Sequence, residues 1–137
     1  MQVAAPHRFL RAALAIDAVS SAAMGVLLAA AASPLSGFLN LPVALLREAG
    51  LLLLPFAAVV GWLASRPEPS RRVVWAVIGL NLAWSAESLL MLATGWIAPN
   101  ALGTAFVIAQ ALFVLGLAEA EYVGLRRIRR GSPAAAA

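Results

Sequence analysis

The 137-residue sequence contains no cysteine and no lysine, and His7 is its only histidine. The absence of cysteine excludes disulfides, cysteine nucleophiles, thiolate metal sites and iron–sulfur clusters. A single histidine excludes bis-histidine haem, and its position at the edge of the first apolar segment leaves no partner for a zinc or serine–histidine site. No glycine-rich phosphate-binding loop is present either. We therefore expect no catalytic residue, no bound metal and no cofactor, and we expect that the protein is not an enzyme.

Charged residues are scarce as well. They make up 12% of the chain, whereas a soluble domain carries roughly 25%. Hydrophobic residues account for 63%, and the mean hydropathy is +0.91. A chain of this length has room for one domain. The composition indicates a small integral membrane protein.

Four apolar segments, at about 9–32, 42–65, 71–95 and 101–124, are long enough to cross a bilayer as helices of about 20 residues. The sequence therefore predicts an all-α transmembrane four-helix bundle with up-down-up-down topology in residues 1–130, followed by a disordered tail at 131–137. Short proline-containing turns after the second and third segments predict that the last three spans are antiparallel neighbours. The amphipathic connection at 33–41 is expected to lie on the membrane surface or against the bundle.

Nine of the ten arginines flank the same side of the four predicted spans, and only Arg47 lies on the other side. The positive-inside rule therefore places both termini in the cytoplasm. Because the arginines mark topology, we expect no nucleic-acid partner. The lysine-free, alanine-rich composition is typical of bacteria, so we expect a multi-pass protein of the bacterial cytoplasmic (inner) membrane. The first apolar segment is too long for a signal peptide and contains Asp17, so it is expected to remain as a span.

Several polar side chains interrupt the apolar segments. A charged side chain near the bilayer centre costs about 2.5–3.5 kcal/mol on insertion scales, so each needs a partner or a function. At helical spacing, Asp17 and Ser21 share one face of the first span, and Asn81, Ser85 and Ser88 share one face of the third. Gln110 and Glu121 align on one face of the fourth span. These faces are expected to meet inside the bundle as a polar seam. The seam either joins the helices through hydrogen bonds or forms part of a functional site.

A functional site would use the polar residues that lie deepest in the spans. Trp84 belongs with them because the other three tryptophans fall near predicted membrane interfaces. An intramembrane ion pair between Arg47 and Glu87 is expected from their similar depth. Glu121 is instead expected, with its neighbour Glu119, to pair with the C-terminal arginines at the interface. The candidate ligand-binding or proton-path residues are Asp17, Asn81, Trp84, Glu87 and Gln110.

Three motifs, "LLLLPFA", "NLAW" and "QALFVLGLAEAEYVGLRR", carry a resemblance to another group of proteins. With them, the chain resembles small four-span integral membrane proteins of proteobacteria. The resemblance covers most of the chain and implies a four-helix membrane fold. It implies no function, because those proteins have none assigned.

Two hypotheses for the function follow from the sequence. In the first, the protein binds or transports a small amphipathic molecule or protons through the polar seam. Four helices enclose little volume, so transport would require a homodimer. In the second, the protein is a non-catalytic structural or accessory subunit, whose lipid-facing surface docks a larger membrane complex. The lipid bilayer is an expected partner in both cases.

Overall fold

The structure is a computed structural model, and it describes residues 5–131. Within this range all regular structure is helical. Residues 132–137, which hold most of the predicted disordered tail, lie outside the described residues. The five helices are α1 (Ala5–Ala30), α2 (Ala32–Leu39), α3 (Val43–Ser65), α4 (Arg71–Ala93) and α5 (Ala101–Arg130).

Four of the helices, α1, α3, α4 and α5, are long and apolar enough to cross a membrane. The prediction of an all-α, four-span membrane fold is therefore confirmed. Two boundaries differ from those expected. α1 begins at Ala5, and α5 continues past the predicted end at 124 to Arg130. Arginine favours helix, and basic side chains in a last turn complement the negative end of the helix dipole, so the C-terminal arginines extend α5.

The amphipathic connection between the first two spans forms the short helix α2, which folds against the bundle. The residue that follows α2, Asn40, terminates the helix in the left-handed conformation, with φ of 53°. The Asn40 side chain donates to the Ala98 carbonyl at 2.8 Å, and Asn100 Nδ2 donates to the Phe38 carbonyl at 2.7 Å. These reciprocal bonds hold α2 over the start of α5. Asn100 also caps α5, because its Oδ1 accepts from Gly103 N at 2.8 Å.

The four spans do not all pack against their sequence neighbours. α1 packs along α3 on one side and α5 on the other, and α5 packs along α4. α3 and α4 make little direct contact, although the short turn between them predicted that they would be neighbours. α3 instead packs most extensively on α1, and the two backbones approach closely at Gly25 and Gly50, where a methyl group on Gly50 would lie 2.7 Å from the Gly25 carbonyl oxygen.

Two apolar clusters fill the bundle. The inner cluster lies toward the arginine-rich end and includes Leu14, Val60, Val74 and Ala118, one residue from each span. The outer cluster lies toward the opposite end, where residues of α2 join those of α1, α3 and α5. α3 and α4 both contribute to the inner cluster and diverge beyond it. The bundle is therefore closed at its arginine-rich half and looser in its outer half.

Candidate functional site

Three polar side chains from three spans meet inside the bundle. Asp17 of α1 is 1% exposed, Asn81 of α4 is 4% exposed and Glu121 of α5 is 0% exposed. Asn81 Nδ2 donates to Asp17 Oδ2 at 2.8 Å and lies 3.4 Å from Glu121 Oε2. Ser21 Oγ, one turn along α1, donates to Asp17 Oδ1 at 3.0 Å. We refer to Asp17, Asn81 and Glu121 as the carboxyl–amide cluster.

Two members of the cluster are predicted site residues, and the third was predicted to lie at the membrane interface. Asp17 and Asn81 were candidates, and the structure joins them directly. Glu121 was predicted to be an interfacial partner of the C-terminal arginines, and that prediction is wrong because its side chain is fully buried against Asp17 and Asn81. Only Glu119 keeps an exposed position.

Glu121 lies deeper in the bundle than predicted because α5 is longer than predicted. With the helix ending at Gly124, Glu121 lay one turn from the membrane surface. Because α5 continues to Arg130, Glu121 lies nine residues from the end of its helix, or roughly 14 Å at a rise of 1.5 Å per residue. Asp17 and Asn81 lie at similar distances from the same end of the bundle. The run of arginines after Gly124 was the signal for a longer helix and hence for a common depth.

The carboxyl groups of the cluster have hydrogen-bond partners that carry no positive charge. Arg11, the arginine nearest to Asp17 along α1, donates its Nε proton to the Ala64 carbonyl at 2.9 Å. Glu121 Oε1 is buried and accepts no hydrogen bond. A buried carboxylate oxygen without a donor is costly, so the cluster contains an unmet hydrogen-bonding requirement.

A second set of polar contacts joins α4 to α5 farther from the arginine-rich end. Trp84 Nε1 donates to Gln110 Oε1 at 2.9 Å, and Ser85 Oγ donates to the Ala111 carbonyl at 3.0 Å. Ser88 Oγ donates within α4 to the Trp84 carbonyl at 2.8 Å. The predicted polar seam therefore exists, and it consists of these contacts together with the carboxyl–amide cluster. Gln110 and Trp84, two of the candidate residues, are direct partners.

A cavity of about 290 Å³ lies beside this seam, between the cluster and the outer end of the bundle. All four spans contribute to its wall, which is mostly leucine, methionine, phenylalanine and valine. Of the predicted site residues, Trp84, Glu87 and Gln110 line the cavity, whereas Asp17 and Asn81 do not. Ser21 belongs to both features, because it lines the cavity and donates to Asp17.

The predicted ion pair between Arg47 and Glu87 is not formed among the described residues. Both side chains are exposed, and Glu87 lines the cavity while Arg47 does not. Glu48, the residue after Arg47, turns toward the cavity instead. One residue along a helix rotates the side chain by about 100°, so Arg47 points away from the cavity. The cavity thus has two carboxylates in its wall and no arginine.

The site offers an apolar surface together with hydroxyl, amide, indole and carboxylate groups. Within residues 5–131, no three histidine, cysteine, aspartate or glutamate side chains are grouped as a metal site would require. The sequence matches no protein-family model, and neither a curated protein nor a solved structure is detectably similar to it.

Proposed function

We propose that this membrane protein binds a small amphipathic molecule in the cavity, with the apolar part inside and a positively charged group at the opening. The observation that carries the proposal is the cavity itself, to which all four spans contribute. A volume of about 290 Å³ is at the small end of ligand pockets, which typically occupy roughly 300–1,000 Å³. An occupant would therefore be smaller than a membrane lipid.

The residues of the wall favour this class of ligand. Met24, Leu53, Met91 and Phe106 provide apolar surface, and the flexible methionines adapt to different shapes. Ser20 and Ser88 add hydroxyl groups within the same wall, so the cavity suits a molecule with some polarity.

The charge at the opening favours a cation. Glu48 and Glu87 line the cavity and are exposed, whereas no arginine lines it. An amine or ammonium group would be attracted by these carboxylates, and an anionic head group would be repelled. Exposed lining residues on α3 and α5, Leu52 and Phe113, support access from the lipid side rather than through the polar ends of the bundle.

The location that we propose is the bacterial cytoplasmic membrane, with both termini in the cytoplasm. The support is the distribution of arginines. α1 and α4 begin, and α3 and α5 end, at the arginine-rich end of the bundle. Several of these arginines contact aromatic side chains there, as Arg127 does with Phe9 and Arg66 with Trp62. Amphipathic contacts of this kind suit a membrane–water interface.

A second candidate function is a structural or accessory subunit of a larger membrane complex. It is favoured by the pairing of Asp17 with Asn81, which removes both from the cavity and makes them part of the joint between α1 and α4. In this case the cavity is a packing gap, and the exposed apolar faces of the spans contact other subunits.

A binding experiment on the protein in lipid nanodiscs separates the two. We expect saturable binding of a short-chain alkylammonium and much weaker binding of the alkyl sulfate with the same chain. Ala49 lines the cavity, so Ala49→Phe should reduce the affinity for the alkylammonium at least tenfold by filling it. Ala58 on the exposed face of α3 provides the matched control, and Ala58→Phe should leave the affinity unchanged. Equal, non-saturable uptake by all three proteins would contradict the binding function and favour the accessory role.

A further inference from the structure

We propose that Asp17 and Glu121 together form a proton-binding site, in which the two carboxyl groups of the folded protein hold a single proton between them at neutral pH. The inference concerns the carboxyl–amide cluster rather than the cavity. It therefore stands or falls independently of amphiphile binding.

The geometry of the two carboxyls favours a shared proton. Both are almost completely buried, at 1% and 0% exposure. Asp17 Oδ2 and Glu121 Oε2 face the same nitrogen, Asn81 Nδ2, at 2.8 and 3.4 Å. Their separation therefore cannot exceed the sum of these two distances. Two negative charges this close in an apolar surrounding repel each other strongly, and a shared proton removes the repulsion.

An unsatisfied oxygen of Glu121 also favours a bound proton. Glu121 Oε1 is buried and has no hydrogen-bond donor, although every other buried side-chain oxygen and nitrogen of the cluster has a partner. A proton on Glu121 converts an unsatisfied acceptor into a donor. Asp17 Oδ2 and Glu121 Oε2 face the same amide nitrogen, so the Asp17 carboxylate is the acceptor beside that proton. One proton thus gives the pair a donor and reduces its charge from two to one.

Neither α3 nor α4 has a cationic side chain at the depth of the two carboxyls. α3 has no titratable side chain between Glu48 and Arg66, and α4 has none between Arg72 and Glu87.

The remaining titratable groups near the pair belong to α1 and α5. On α1 the nearest arginine, Arg11, is bonded to the Ala64 carbonyl, and Arg8 lies one turn closer to the helix end. On α5, Glu119 is exposed, and the exposed Tyr122 contacts the ring of Trp75. Arg11, Glu119 and Tyr122 are not hydrogen-bond partners of Asp17 or Glu121 in the described structure.

Asn81 and Ser21 show why the site suits a proton better than a metal cation. Both present hydrogen-bond donors to Asp17, the amide through Nδ2 and the serine through Oγ. A cation in the cluster would instead require oxygen atoms turned toward it. Ser21 also lines the cavity, so it connects the proton-binding pair with the cavity through one hydroxyl group.

Infrared spectroscopy of the full-length protein in lipid tests the proposal, because a protonated carboxyl has a carbonyl stretch that a carboxylate lacks. At neutral pH we expect a band with the intensity of one protonated carboxyl, which shifts in heavy water. Glu121→Gln should abolish the band, since the remaining Asp17 carboxylate still receives the Asn81 and Ser21 hydrogens. Glu119→Gln, an exposed position on the same helix, should leave the band unchanged.

Four infrared results would overturn the proposal: no protonated carboxyl in the wild-type protein at neutral pH, an intensity of two such groups, an unchanged band in Glu121→Gln, or a band lost in Glu119→Gln. If Glu121→Gln does not fold, the wild-type protein is labelled with ¹³C-glutamate or, separately, with ¹³C-aspartate. The band of the protonated carboxyl must then shift in one of the two labelled samples. A melting temperature that rises with sodium at constant ionic strength would assign the cluster to a metal cation and contradict a proton site.

Discussion

Asn81 is the residue through which the interior of the bundle is organised. Its side-chain nitrogen faces carboxyl oxygens from both α1 and α5, so one amide serves three helices. Asn81 is 4% exposed, and no water can replace its hydrogens inside an apolar bundle. Loss of this donor would remove one hydrogen bond from the Asp17 carboxyl and one from the Glu121 carboxyl.

We expect Asn81→Leu to lower the free energy of unfolding by about 1–3 kcal/mol, the usual effect of removing a donor from buried acceptors. Equilibrium unfolding in mixed micelles measures the change. Ala83 lies on the exposed face of the same helix, so Ala83→Leu provides the control and should be nearly neutral. Equal stabilities of the two variants would show that the Asn81 amide does not organise the interior.

At the scale of the elements, the contact between α1 and α3 determines the shape of the bundle. Gly25 and Gly50 face each other, and a methyl group on Gly50 would lie 2.5 Å from Ala29 N and 2.7 Å from the Gly25 carbonyl oxygen. Small residues allow such close backbone approach in membrane helices. α3 thus packs mainly on α1 and makes little contact with α4.

A substitution at this contact should therefore separate the two helices. We expect Gly50→Ala to lower the free energy of unfolding by about 1–3 kcal/mol, because backbone atoms cannot move aside as a flexible side chain would. Gly79 provides a matched control in the middle of α4, where an added methyl group meets nothing within 4 Å. Gly79→Ala should be neutral or slightly stabilising, since alanine favours helix. Thermal unfolding in the same detergent compares them, and an equal effect would contradict the close contact.

The helices could be predicted from the sequence, but their arrangement could not. Long apolar segments in lipid have to be helical, so the four spans follow from composition alone. Which spans pack side by side depends on close contacts such as the one between Gly25 and Gly50, and apolar periodicity does not specify such contacts.

The candidate site was predicted in part for a similar reason. Asp17, Asn81, Trp84 and Gln110 were identified because polar groups inside a span need partners, and each has one. Glu121 was assigned to the interface because its depth depends on where α5 ends. The pair of Arg47 and Glu87 failed because equal depth does not specify the direction of a side chain.

At the scale of the whole molecule, polar and apolar regions alternate along the bundle axis. The arginine-rich end is followed by the inner apolar cluster and the carboxyl–amide cluster. Beyond these lie the cavity and the outer cluster covered by α2. This order places the buried carboxyls between a tightly packed half and a half with space for a ligand.

The absence of cysteine allows a direct test of orientation in cells. We expect Ser70→Cys, in the connection between α3 and α4, to be protected from a membrane-impermeant maleimide in intact cells. Ala98→Cys, in the connection between α4 and α5, should react. Both positions are exposed, and both should react after the membrane is opened. The reverse pattern in intact cells would contradict the cytoplasmic location of the termini.

Fluorescence of Trp84 tests the central claim, ligand binding in the cavity, most directly. Trp84 lines the cavity and is half-buried, whereas Trp62, Trp75 and Trp96 are exposed and lie toward the ends of the bundle. In a protein that retains only Trp84, with the others changed to phenylalanine, a brominated short-chain alkylammonium should quench the emission along a saturable curve. A protein that retains only Trp96 should show a linear decrease that follows partitioning into the bilayer. Identical linear quenching of Trp84 and Trp96 would contradict the account.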